Sequence, residues 1–393
     1  MPNPTLPAEL LDYIADLRDS ETVLRKCCLV SQSWIPPARK HLFTNISFDF
    51  VEQLDSWKRT FPDPSTSPAC YAKTLVICCP EEVAVADAEA GGWIRGFSRV
   101  IHLDVGSDFA EAGLTVSFVP LHGFSSFVKS LHIDFIILPA SRVFNLILSF
   151  PLLEGLSLTA DDVSIDNCDG PDGLPTVSQP LIPPMFTGSL RLFLNQGGSL
   201  IIRWLLSLPA GIHFREFTLT WLHAEDPVLT MAVVEKCSHA IESLVTSVSS
   251  FCNGAGTDSL LCFLVKSVAI DLSKATKLRN VVFRPKSMSV KWITTGFRIT
   301  IPELPELGQI SIRVPYNLGI FDFKKFNVSG GWPDLDRLLV QFRESRCTRP
   351  KVICMALLGG RRDIKDFLEH LLPELTRRGR LSFRSENLGF IIQ

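Results

Sequence analysis

Apolar residues recur at two different spacings along this chain. Within the first fifty residues the interval is helical. Leu10, Ile14 and Leu17 fall at i, i+4 and i+7, with Leu11 widening the stripe, and Pro7 suits a first helical turn, where its missing N–H has no partner to lose. The pattern predicts a second helix after Ser20, an N-cap candidate, with Val23, Leu24, Cys27 and Cys28 on its apolar side. Ile35-Pro36-Pro37 breaks that pattern, and Ala38 to Phe43 forms a third short helical piece. Three short helices bury too little surface to be stable alone, so a partner or a following domain is expected.

Beyond Phe50 the interval shortens to that of strands. The predicted strands are Thr74–Ile77, Val100–Asp104, Ser130–Asp134, Gly155–Thr159, Ser189–Leu194, Glu216–Thr220, Ser243–Thr246, Asn280–Phe283, Gln309–Arg313 and Arg337–Val340. Most successive starts lie about 25–29 residues apart, within the length of a leucine-rich-repeat unit. Amphipathic stretches such as Ser141–Leu153 and Leu229–Ile241 lie between them. One strand and one helix cannot bury their apolar faces alone, so stacked neighbours would share a continuous core.

The expected fold is therefore α/β. Three helices over 1–50 are followed by a linker over 51–69 containing Pro62-Asp63-Pro64-Ser65. An irregular leucine-rich-repeat-like solenoid spans 70–393, interrupted by an Asp-, Pro- and Gly-rich inserted loop over about 161–188. No asparagine ladder marks the repeats, and a compact α/β domain with another strand order is the alternative.

Alternation along a strand assigns faces. With Leu131, Ile133, Leu156, Leu158, Phe217, Leu219, Ile310 and Ile312 turned to the core, the opposite set is His132, Asp134, Ser157, Thr159, Thr218, Thr220, Ser311 and Arg313. That mixed polar face suits recognition of a protein target. Trp221 beside it is the best single anchor candidate, or equally a core filler between units.

Charge narrows the partners. Lys and Arg number 39 against 41 Asp and Glu, a net charge of −2, which argues against a surface built to grip nucleic acid or anionic lipid. With 46% hydrophobic and 20% charged residues, disorder over most of the chain is excluded. No apolar run reaches the 18 or so residues of a membrane span, and Asp12 and Asp16 interrupt the N-terminal stripe, so no secretory signal is expected and the location is cytoplasmic or nuclear. Eleven cysteines without paired C-x-x-C motifs read as reduced, buried hydrophobes. The chain contains no phosphate-binding glycine loop, zinc-protease helix or nucleophile elbow, so no catalytic residue, metal or cofactor is expected and the chain is read as a non-enzyme. The Arg-rich C-terminal region is interleaved with Asp363, Asp366, Glu369 and Glu374 and reads as a solvated charged face.

Leu6-Pro7-x-Glu9-Leu10-Leu11, then Cys28-Leu29-Val30-Ser31-x-x-Trp34, then Ala38-Arg39-x-x-Leu42-Phe43 resembles the F-box. Phe186-Thr187-Gly188-Ser189-Leu190 and Asp271-Leu272-Ser273-Lys274 extend the likeness to the F-box proteins abundant in mushroom-forming fungi. Gln32-Ser33 and the segment Arg18–Thr22 depart from the family pattern. The resemblance implies a target-recognition subunit of an SCF-type ubiquitin ligase, bound to a Skp-type adaptor and through it to cullin, with the repeats holding a protein target. The adaptor contacts it implies are Leu6, Pro7, Leu10, Ile14, Leu24, Cys28, Leu29, Val30 and Trp34. Other readings are an adaptor-bound scaffold outside any ligase, and a repeat array whose N-terminal helices are only a cap.

Overall fold

The computed structural model describes residues 21–30, 32–78, 93–107, 118, 121–164, 184–194, 198–221, 227–248, 272, 274–285, 306–307, 309–314, 332–344, 351–356, 369–370, 372–378, 381–383 and 389–392. The chain divides into two compact units, Met1–Met185 and Phe186–Gln393. Both are α/β and built on parallel strands.

In the first unit, helix α1 (Glu21–Val30) leads through a 3-10 turn at Gln32–Trp34 into α2 (Ile35–Leu42). Pro36 and Pro37 lie in the first turn of α2 rather than breaking a helix, because the first-turn N–H groups have no intrahelical partner. Then come β1 (Asn45–Phe48), α3 (Val51–Thr60), β2 (Thr74–Ile77), β3 (His102–Ser107), β4 (Ser130–Pro139), α4 (Ala140–Leu148) and β5 (Gly155–Ser164). Each strand pairs in parallel with its predecessor in the chain.

Two expected boundaries shift. Residues 51–69 are not a plain linker: α3 buries Leu54 completely, and Trp57 packs edge-on against Phe43 and Phe48 and tilted against Phe61 and Phe97. Of the inserted loop expected over about 161–188, residues 165–183 lie outside the described residues. Asp161–Ser164 continue β5, and Phe186 is buried against Phe214 in the second unit.

The second unit runs β6 (Ser189–Leu194), α5 (Gly198–Ser207), β7 (Glu216–Trp221), α6 (Pro227–Cys237), β8 (Ser243–Val248), β9 (Asn280–Pro285), β10 (Gln309–Val314), α7 (Trp332–Glu344), β11 (Lys351–Ala356), α8 (Pro373–Arg377), β12 (Leu381–Phe383) and β13 (Gly389–Ile392). Strands β6 to β11 are parallel and in chain order. β13 then pairs antiparallel with β11, and β12 with β13. Arg337–Val340, expected as a strand, lies inside α7. There Trp332, Leu335, Asp336 and Val340 are buried at helical spacing, and that periodicity overrides the β-like run Leu338-Leu339-Val340.

A backbone device joins the strands within each unit. The carbonyl just ahead of one strand accepts two N–H groups at the entrance to the next. Thr44 O receives Lys73 and Thr74, Lys73 O receives Ile101 and His102, Ile101 O receives Lys129 and Ser130, and Lys129 O receives Glu154 and Gly155. In the second unit Gly188, Arg215 and Glu242 play the same part, and all these bonds span 2.8–3.2 Å. Immediately before the first N–H donor of each pair sits a buried apolar side chain: Ala72, Val100, Val128 and Leu153 in the first unit, and Phe214, Ile241 and Leu278 in the second. This recurring feature combines an apolar position with a main-chain bond, and only the first of these is written in side chains.

Two buried polar side chains, Ser125 and Asp336, each serve several backbone groups. Ser125 lies with its hydroxyl 2.9 Å from Val100 O and 3.0 Å from Ser98 O, and it accepts the Phe127 N–H at 3.3 Å. Asp336 accepts the N–H groups of Glu374 and Leu375 at 2.6 and 3.1 Å, capping α8 from α7. Burial pushes the Asp336 carboxyl above its ordinary range, against the two N–H donors that favour its charged form.

Candidate interaction surfaces

Two surfaces carry the residues singled out from the sequence. On the N-terminal helices, Leu6, Pro7, Leu10 and Ile14 lie outside the described residues. The described part of the set separates by burial. Leu24, 6% exposed, belongs to the interior along with Ala38 of α2, so it is a core residue and not an open contact. Cys28 and Trp34 are half-buried, and Val30 closes α1. Leu29 is different: it is 86% exposed, the most exposed of the large hydrophobic residues among those described. A leucine left almost wholly in water on a helix whose other face is packed gives a partner an apolar foothold.

The second surface is the face of the sheet opposite the core. In the first unit the alternation holds as expected. Leu131, Ile133, Leu156 and Leu158 are buried, while His132, Asp134, Ser157 and Thr159 lie on the other side. Register aligns them into rows: Asp104, His132 and Ser157 in one, Gly106, Asp134 and Thr159 in the next. His132 Nδ1 lies 3.1 Å from Asp104 Oδ1, a carboxylate acceptor that orients the ring. Sequence reading missed Asp104 as that partner. The signal was available, because Leu103 and Val105 flank it with the same alternation. Gly106 is a position where the backbone approaches closely: a Cβ there would stand 3.1 Å from Asp134 O.

In the second unit Thr218 registers with Arg191 and Val245, and Thr220 with Phe193 and Ser247. Ser311 registers with Val282 and Ile353, and Arg313 with Met355. This face is not uniformly open, since Val282 is buried. Trp221 registers with Leu194 and Val248, in the alternate set that contains buried Phe217, and not with Thr218 and Thr220. The predicted target-facing residues thus form two groups, one in each unit.

No family model matches the chain, and a comparison with curated proteins found no match.

Charged side chains flank the double-acceptor carbonyls. Lys129 and Glu154, on consecutive strand entrances, pair at 2.7 Å, and Arg279 reaches Glu306 at 3.0 Å and Glu242 at 3.8 Å. These groups are half-exposed, so each pair contributes at most about 1 kcal/mol, and they act more as surface decoration than as clamps. Among the described residues no group of three or more His, Cys, Asp or Glu is placed to hold a metal ion, and no helix is long and apolar enough to cross a membrane.

Proposed function

We propose that the chain is the target-recognition subunit of an SCF-type ubiquitin ligase, its N-terminal helices docking on a Skp-type adaptor and its strand repeats holding a protein target. The observation that carries this reading is the contrast between Leu29 and Leu24 on one helix: one leucine is closed into the fold and the other, five residues on, is offered to solvent. Helix-in-groove recognition needs such an anchor. Trp34, half-buried at the junction of the 3-10 turn and α2, is the second anchor. The chain-ordered parallel strands of each unit support a repeat architecture, and the polar rows around Asp104 and His132 suit a protein ligand. Chemistry would then come from the partners. The chain supplies proximity, raising the effective concentration of target lysines near the ubiquitin-loaded enzyme.

Co-purification of the full chain with adaptor and cullin tests the proposal. Wild type should retain both, and Trp34→Ala should lose both. Adaptor without cullin would point to a scaffold outside any ligase, and an absence of adaptor would reduce the helices to a cap.

A further inference from the structure

Outside the two surfaces above, His213 and His239 meet at the entrances of β7 and β8. His213 Nδ1 lies 3.0 Å from His239 Nε2, with ring centroids 5.2 Å apart and ring planes at 74°. The two segments are held before any ligand arrives. Gly211 turns the chain with φ +71° and bonds back to Leu208 O, ahead of His213. Ala240 and Ile241 bond back to Cys237 O, fixing the turn that carries His239. Arg215 O takes the N–H groups of Glu242 and Ser243, and the buried Cys237 thiol donates to Ile212 O at 3.3 Å, so both entrances are tied together from beneath.

We infer that His213 and His239 form a bidentate site for a divalent transition-metal ion of the nickel or copper class. Two imidazole nitrogens each about 2.0–2.1 Å from one ion stand about 2.9 Å apart at a right angle and about 3.3–3.4 Å apart at a tetrahedral angle. The observed 3.0 Å matches cis positions of a square-planar or octahedral ion, the geometry Cu(II) and Ni(II) favour, and imidazole is a donor suited to both. Without metal the two nitrogens share one hydrogen, one ring donating and the other accepting. Metal binding needs both facing lone pairs, so the donating ring shifts to its other neutral tautomer, carrying its proton on the far nitrogen, and the ion replaces the hydrogen bond. Cys237 is wholly buried with its thiol committed to Ile212 O, so it belongs to the support beneath the pair and not to the site. Both rings lie at the surface, so water completes the coordination sphere.

The probe is NiCl2 titrated calorimetrically into the untagged full chain, with His213→Gln and His239→Gln measured beside wild type. Both ligands come from one pre-tied pair of loops, so losing either should weaken nickel binding by roughly 10²-fold, the gain that tethering provides. The double variant His102→Gln/His132→Gln should leave it unchanged. Melting curves without metal check that the Gln variants fold, and added nickel should raise the melting temperature of wild type alone. Equal nickel affinity in wild type and either single variant overturns the site, as does a loss of binding in the His102/His132 variant.

Discussion

Replacing Leu29 with alanine tests the proposed docking separately from folding. Truncation removes three carbons from a side chain that is 86% exposed in the free chain. At about 0.8 kcal/mol per carbon buried, scaled by the exposed fraction, a partner that covers Leu29 gains about 2 kcal/mol from it, so the variant should bind roughly 30-fold more weakly. Folding stability should change by no more than about 0.5 kcal/mol, since almost nothing within the chain touches the lost atoms. Leu24→Ala is the counterpart. Its side chain is 6% exposed, so it should cost about 2–5 kcal/mol of stability through cavity formation. Calorimetric titration of purified Skp-type adaptor, run beside thermal melts of all three proteins, reads both quantities. An adaptor Kd for Leu29→Ala equal to that of wild type refutes the argument. So does a melting temperature that falls as far as that of Leu24→Ala.

Three more outcomes follow from individual groups. Ser125→Ala leaves the carbonyls of Ser98 and Val100 and the Phe127 N–H without their shared hydroxyl, and should lower unfolding free energy by about 1–3 kcal/mol in urea titrations. Gly106→Ala forces a methyl group against Asp134 O and should destabilise the β3–β4 pair by about 1 kcal/mol or more, visible as faster amide exchange there. Asp336 has its folded-state pKa raised, so its contribution to stability is complete below the ordinary carboxylate range and is lost as pH rises through the raised value. Asp336→Asn should therefore flatten the melting-temperature profile as pH rises above the ordinary carboxylate range, and a profile parallel to wild type would contradict that assignment.

The sequence disclosed strands more readily than the segments between them. Leu131/Ile133 and Leu156/Leu158 alternate without exception, and the strands at Ser189, Glu216 and Ser243 begin where that alternation puts them. Arg337–Val340 misled because three consecutive apolar residues fit a strand as well as a helix. The decisive residues, Trp332 and Leu335, lie a turn upstream. β1 escaped because Asn45–Phe48 is short and follows directly on a helix, and Lys351–Ala356 because its start falls outside the repeat interval. In the first unit the two faces were legible from parity alone, as Leu131, Ile133, Leu156 and Leu158 are buried. The contrast between Leu24 and Leu29 was not. Both are leucines on one short helix, and which of them is covered depends on where α2 packs.

The double-acceptor carbonyls have a consequence for how such a protein can change over generations. Because each rung of the ladder is stitched by peptide groups common to every amino acid, the alignment of neighbouring strands makes few demands on residue identity. Residues pointing away from the interior can be exchanged one at a time while the scaffold keeps its spacing. Lineages built this way would diverge quickly in letters and slowly in shape, so kinship among them would be found by superposing backbones sooner than by aligning text.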